Sequence, residues 1–126
     1  MNPTQREYIL YLEDMLTSMQ RIDEYLRGLD FKMFKMSYLI VDAVIRNFEI
    51  IGEASKKIPP DIQEKYKEIP WRKMYGLRNL IAHEYFGIDY EMIWEIARNN
   101  LPQNRNDLHR IIIWEKEQAG NKSYLV

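Results

Sequence analysis

The chain is expected to fold as an all-α bundle of four to five helices, and three observations point there. Apolar residues recur at spacings of three and four along nearly the whole length. Only five Gly and five Pro occur in 126 residues, too few for the turns that an all-β domain needs. No stretch shows strand-like alternation bounded by hairpin turns. A chain of this length is expected to form one domain, residues 1–126, and to bury most of its apolar surface.

The first helix is expected over residues 4–29. Thr4 and Glu7 fit a capping box at its start. Tyr8, Leu12, Met15, Met19, Ile22, Leu26 and Leu29 then fall at strict four–three spacing, the pattern of a helix along a bundle seam. Its Met and Tyr side chains are core filling. Gly28 and Asp30 break the pattern, and residues 31–35 fit a short helical turn. The second long helix is expected over residues 37–58, stopped by Pro59 and Pro60. Val41, Val44, Phe48 and Ile51 form its core stripe, and Asp42, Arg46, Glu49 and Glu53 a polar one. Gly52 inside this helix costs roughly 1 kcal/mol relative to Ala, which argues for close approach of another backbone. The polar face is therefore expected to lie near a partner or near residues 78–85.

Residues 60–67 read as a short helix with Ile62 and Tyr66 one turn apart. Trp71, Met74, Leu77 and Ile81 mark a helix that starts after Pro70 and runs to His83. Gly76 within it repeats the close-approach argument. Asp89 reads as the next N-cap, with Tyr90, Ile93, Ile96 and Ala97 on the buried side. This last helix is expected to kink at Pro102 and continue through Leu108, Ile111 and Ile112 to about residue 118. His109 reads as a surface residue. Residues 111–114 are too apolar to face water together, so part of them is expected against the first helix or a second chain.

Composition narrows the function classes. There is no Cys, hence no disulfide, thiol nucleophile or thiolate metal site, and no His/carboxylate set at metal-ligand spacing, so neither metal nor cofactor is expected. No apolar run reaches the length of a membrane span, and residues 1–6 do not read as a signal peptide, so the expected location is cytoplasmic. A net charge of −1 is not that of a general nucleic-acid binder. The charge is uneven, however: residues 56–78 hold seven basic and three acidic side chains, whereas residues 1–30 hold three basic and six acidic. A basic region leading into residues 78–85 suits a phosphate-bearing substrate, and it equally fits a solvated surface.

Residues 78–85, RNLIAHEY, carry the most chemically able side chains of the sequence. Asn79 and His83 are four apart, so on a helix the amide can hydrogen-bond the ring and orient it. Arg78 lies about 140° round such a helix from His83, and reaches it only over the helix end. A guanidinium beside an imidazole makes a phosphate clamp with an acid–base group. One chain supplies one such His, whereas phosphodiester cleavage needs both a base and an acid. A second copy across a two-fold axis would supply the other. The same residues also fit a plainer role, with His83 capping the helix and Arg78 solvated or ion-paired.

The spacing R-x-x-x-x-H-x-Y from Arg78 to Tyr85, with Asn79 directly after the Arg, resembles the signature of HepT-like proteins in the HEPN superfamily. The runs DAVIRNFEIIGEA from Asp42, IPWRK from Ile69 and YFGIDY from Tyr85, followed by Trp94 and Glu95, are similar in the same order. The likeness covers about residues 38–102; the first helix fits by pattern only, and the chain after about residue 115 lies outside it. The resemblance implies a HEPN-type bundle of four to five helices. It also implies a metal-independent endoribonuclease, the toxin of a HepT–MntA type toxin–antitoxin pair, cutting RNA at the interface of a homodimer. Arg78 and His83 would then be catalytic and Asn79 supporting. Tyr85 would be the residue to which an MntA-like minimal nucleotidyltransferase antitoxin adds AMP. Two alternatives remain at this point: a non-catalytic helical module that binds a nucleotidyltransferase, and a nucleotide-binding domain using Arg78 and His83 on a mononucleotide phosphate.

Overall fold

The computed structural model describes residues 5–79, 87 and 89–124, and among them every regular element is helical. The first helix, α1 (Gln5–Leu26), places Tyr8, Leu12, Met15, Met19, Ile22 and Leu26 in the core, as its four–three spacing predicts. Thr4, the expected cap, lies outside the described residues. Gly28, at a φ of +79°, turns the chain after α1, a conformation that costs glycine nothing. Asp30 then caps α2 (Phe31–Met36) by accepting a hydrogen bond from the Met33 amide at 2.8 Å.

Ser37 begins α3 (Tyr38–Lys56), its hydroxyl accepting from the Ile40 amide. Val41, Val44, Phe48 and Ile51 are buried against α1, which packs along both α3 and the last helix. Pro59 and Pro60 end the run, and α4 (Pro60–Lys65) follows. Trp71 opens α5 (Trp71–Gly76), which packs on α3 and anchors its indole N–H on the Tyr66 carbonyl at 2.9 Å.

The expected continuous helix from Trp71 to His83 is not what forms. α5 ends at Gly76, and Leu77 and Arg78 form a turn closed by short-range bonds, from the Leu77 amide to Met74 and from the Arg78 amide to Tyr75, each 3.2 Å. Spacing of three satisfies this tighter turn as well as an α-helix, so Leu77 stays buried although the helix has ended. Residues 80–86, with Ile81, His83 and Tyr85, lie outside the described part. Gly76 also departs from expectation: among the described residues a Cβ there would meet nothing within 4 Å.

Asp89 caps α6 (Tyr90–Glu95) through the Met92 amide at 3.0 Å. Trp94 on α6 packs on Phe31 and Phe34 of α2, with ring centroids 6.1 and 5.4 Å away. A π-helical turn (Ile96–Asn100) then leads into α7 (Leu101–Tyr124), longer than the expected end near residue 118. Pro102 has no N–H, and its ring crowds the carbonyl one turn back. The wider turn accommodates it, the Leu101 amide reaching Ile96 instead of Ala97. Ile111 and Ile112 are buried where α7 meets α1, whereas Ile113, Trp114 and His109 are exposed. Among the described residues no helix is long and apolar enough to cross a membrane.

One buried charge ties three parts of the bundle. Glu115 on α7 is 1% exposed, accepts hydrogen bonds from the hydroxyls of Tyr8 and Tyr66, and pairs with Lys65 at 2.9 Å. Burial pushes its carboxyl up, but the bonds from Tyr66, Tyr8 and Lys65 together outweigh that and hold it below the ordinary carboxylate value. Burial, reinforced by the adjacent carboxylate, pushes both tyrosines well above theirs.

Candidate functional site

Arg78 stands where α5 gives way to the residues carrying His83 and Tyr85, and α3 determines its position. Gly52 of α3 sits against it: a Cβ at residue 52 would lie 3.0 Å from both the Cβ and the amide N of Arg78, and 3.2 Å from the Tyr75 carbonyl. The glycine thus admits the backbone of the turn into direct contact with α3, the close approach its helical position predicts. The next residue, Glu53, forms an ion pair with Arg78, its Oε1 lying 2.8 Å from Nε. Both side chains are 43% exposed, so this is a surface pair worth at most about 1 kcal/mol of stability. Its larger consequence is geometric. One carboxylate oxygen takes Nε, and among the described residues no other ion pair engages the two terminal nitrogens, the end of the fork that suits two phosphate oxygens.

The polar stripe of α3 therefore divides. Arg46 pairs with Glu49 at 3.1 Å as ordinary surface, while Glu53 turns to the motif. The expectation that this face lies near residues 78–85 holds, but Glu53 as the partner of Arg78 went unread. Its signal was adjacency to Gly52, because the residue beside a close-approach glycine meets whatever approaches.

Asn79 is helical and exposed, so it can serve a substrate or a neighbour; its proposed bond to His83 involves a residue outside the described part. The offset of about 140° expected between Arg78 and His83 likewise involves a residue outside the described part. The basic run is also smaller than its count. Lys65 pairs with Glu115, Lys67 with Glu64 at 2.9 Å and Arg78 with Glu53. Lys56 and Lys57 instead lie over the rings of Tyr75 and Tyr11, at 5.6 and 5.5 Å. Arg72 and Lys73 are exposed on α5. Among the described residues none of these four cations has a carboxylate partner.

Comparison with known proteins identifies the family. A family profile described as ribonuclease HepT-like matches residues 15–111. A candidate RNase of Methanocaldococcus jannaschii is 40% identical over 107 residues, covering 85% of this chain and 92% of its own. A second from the same organism is 39% identical over 105 residues, covering 83% and 96%. The probable ribonuclease HepT of Thermococcus cleftensis is 38% identical over 101 residues, covering 80% and 92%. No solved structure matches the chain.

Proposed function

The chain belongs to the HepT-like ribonuclease family, and from that premise we propose that it is a metal-independent endoribonuclease with Arg78 and His83 as its catalytic residues. The observation that carries this reading is the seating of Arg78. The turn that Gly52 admits against α3, with Glu53 on Nε, presents a guanidinium whose terminal nitrogens have no ion-pair partner among the described residues. In the reaction the RNA 2′-hydroxyl attacks the adjacent phosphorus, the 5′-oxygen leaves, and a cyclic phosphate forms. His83 takes the proton from the attacking oxygen or delivers one to the leaving oxygen. Arg78 stabilises the charge that gathers on the phosphoryl oxygens, the largest electrostatic contribution to such a step. Asn79 orients the imidazole. Single-stranded RNA is the substrate, because there the 2′-hydroxyl can line up behind the scissile bond.

The same reading makes the protein a homodimer whose two copies supply the acid and the base, and the toxin of a toxin–antitoxin pair. An MntA-like minimal nucleotidyltransferase would silence it by AMPylation at Tyr85. The phenol oxygen would attack the α-phosphorus of ATP, pyrophosphate would leave, and the phenolic proton would pass to solvent. The phosphate so attached would occupy the position that RNA phosphate takes beside Arg78.

Purified protein incubated with single-stranded RNA and chelator tests the central claim. Cleavage is expected to persist with chelator and to vanish in His83→Ala, with an unchanged helical circular dichroism spectrum. A strict need for a divalent ion, or full activity in His83→Ala, would overturn it.

A further inference from the structure

Tyr75, near the end of α5, leaves 38% of its surface to solvent, and three contacts fix its place beside Arg78. The Arg78 amide donates to the Tyr75 carbonyl at 3.2 Å. From α3, Glu53 pairs with Arg78 through Nε at 2.8 Å, and Lys56 places its Nζ 5.6 Å from the centroid of the Tyr75 ring. Glu53 and Lys56 are three positions apart on one helix, hence surface neighbours with Cβ atoms about 5–6 Å apart. The two contacts are therefore adjacent rungs between α3 and the end of α5, one ending on the guanidinium and the other on the phenol ring. Gly52 brings both rungs into reach: a Cβ there would lie 3.0 Å from the Arg78 Cβ and 3.2 Å from the Tyr75 carbonyl oxygen.

The charge around the ring is one-sided. Lys56 and Arg72 are both exposed, and Arg72 lies three positions before Tyr75 on the same face of α5. Neither is paired with a carboxylate among the described residues, and Glu53, the acid nearest in the chain to Lys56, is engaged by Arg78. A ring under an ammonium leaves the charge in place, whereas an ion pair would neutralise it. At 5.6 Å the contact is near the outer limit of such attractions, and at an exposed site it is weak. Lys56 can therefore leave the ring at little cost when a stronger partner arrives.

An open aromatic ring set among cations is the arrangement by which single-stranded nucleic acid is held without reading its sequence. Bases stack on the ring while positive groups follow the backbone. We propose that Tyr75 is a stacking platform for a base of the RNA strand, the base that flanks the phosphate held by Arg78. Lys56 then contacts the phosphate of the stacked nucleotide. Every base has a flat face, so the platform accepts purine and pyrimidine alike. The inference rests on the ribonuclease reading and adds a base-binding residue to it.

The test uses full-length protein carrying His83→Ala, so that strands stay intact, and fluorescence anisotropy of labelled eight-nucleotide RNAs across a range of salt. The strands are adenine-only, uracil-only and fully abasic. Both base-bearing strands are expected to bind about ten-fold tighter than the abasic one, in keeping with one stacked base. Tyr75→Leu keeps an apolar side chain but loses the flat ring. It should cut that preference to about two-fold or less, with abasic binding unchanged. Tyr75→Phe keeps the ring and should keep the preference. Lys56→Ala should weaken all three strands alike and lower the slope of log affinity against log salt by about 0.7, the value for one phosphate contact on a single strand. Tyr75→Leu should leave that slope as it is, and so should Lys32→Ala on α2, the control for loss of a surface charge.

Equal binding of base-bearing and abasic strands overturns the platform, and so does an intact preference in Tyr75→Leu. Loss of the preference in Tyr75→Phe would assign the effect to the hydroxyl and overturn stacking. An unchanged salt slope in Lys56→Ala, or an equal change in Lys32→Ala, overturns the phosphate contact. The platform and the ribonuclease reading fail separately. RNA cleavage that Tyr75→Leu leaves unchanged at low substrate concentration removes the platform alone. A base preference that depends on Tyr75, without any cleavage by wild-type protein, removes the ribonuclease reading alone.

Discussion

Arg78 carries two demands, a fixed position and an open fork, and its surroundings meet them separately. Gly52 fixes the backbone, and Glu53 takes Nε without blocking the terminal nitrogens. A lysine at this position keeps the charge but offers a compact ammonium in place of the planar fork, and has no Nε for Glu53 to hold. Cleavage by Arg78→Lys is therefore expected to fall nearly as far as that by Arg78→Ala. Both variants should melt within about 2 °C of the parent, since an exposed pair contributes little to stability. Single-turnover cleavage alongside thermal melts checks this, and near-parental cleavage by Arg78→Lys would show that a simple counter-charge suffices. Part of the proposed site is readable in the sequence. Arg78, Asn79, His83 and Tyr85 declare themselves by residue type, because few side chains do acid–base and phosphate chemistry. Glu53 does not, because a carboxylate on a helix surface looks the same whether it faces water or an arginine twenty-five positions away.

At the level of elements, Gly52 makes the contact between α3 and the end of α5 testable. Alanine would gain up to about 1 kcal/mol of helix propensity. Its Cβ would press on backbone atoms at 3.0 and 3.2 Å that have little room to give, and such overpacking costs about 1–3 kcal/mol. Gly52→Ala is thus expected to lose about 1 kcal/mol net in chemical denaturation, and to lose more cleavage than the folded fraction explains. A stabilised, fully active variant would mean that the contact is looser than these distances. Glu115 gives a second prediction at this scale. Its lowered pKa means that the stability it contributes is present above the ordinary carboxylate value, and is lost as pH falls below that value and through the lowered one. In Glu115→Gln the two tyrosine bonds become neutral, at a cost of about 2 kcal/mol near pH 7. Melts from pH 7 to 2 should show the variant starting lower, with a shallower acid fall. Parallel curves would refute the network. The long helices are legible because their apolar stripes repeat over several turns and end in caps or prolines. The turn at residues 77–78 and the π-helical turn are not, because spacings of three and four survive both. Glu115 is hidden for another reason: its partners lie 107, 50 and 49 positions away.

For the whole molecule, the count of histidines sets the question. The chain has two, and His109 is exposed on α7, away from any motif, so the proposal has one histidine per copy, His83, for proton transfer. In-line cleavage asks for two, so the active unit is expected to be a dimer. Gly52 and Gly76, read from the sequence as close-approach points, would be further support, but the structure separates them. Gly52 is accounted for inside the chain, and a Cβ at Gly76 would meet none of the described residues within 4 Å. The dimer argument therefore rests on chemistry and not on packing, and kinetics tests it most directly. If two copies complete the site, specific activity should fall when protein is diluted below the dimer dissociation constant, and the fall should track dissociation seen by light scattering. Mixing provides a sharper arm. Arg78→Ala and His83→Ala are each expected to be inactive as homodimers. In their heterodimer, each copy retains the group that the other lacks. If opposite copies supply the acid–base and phosphate-binding groups of one site, mixing should restore activity, up to about half of the parental value. If mixing restores nothing while subunit exchange is confirmed by mass, every site needs all four groups, or each works within one chain. Specific activity that stays constant on dilution well into the monomer range then decides for the single chain and refutes the dimer.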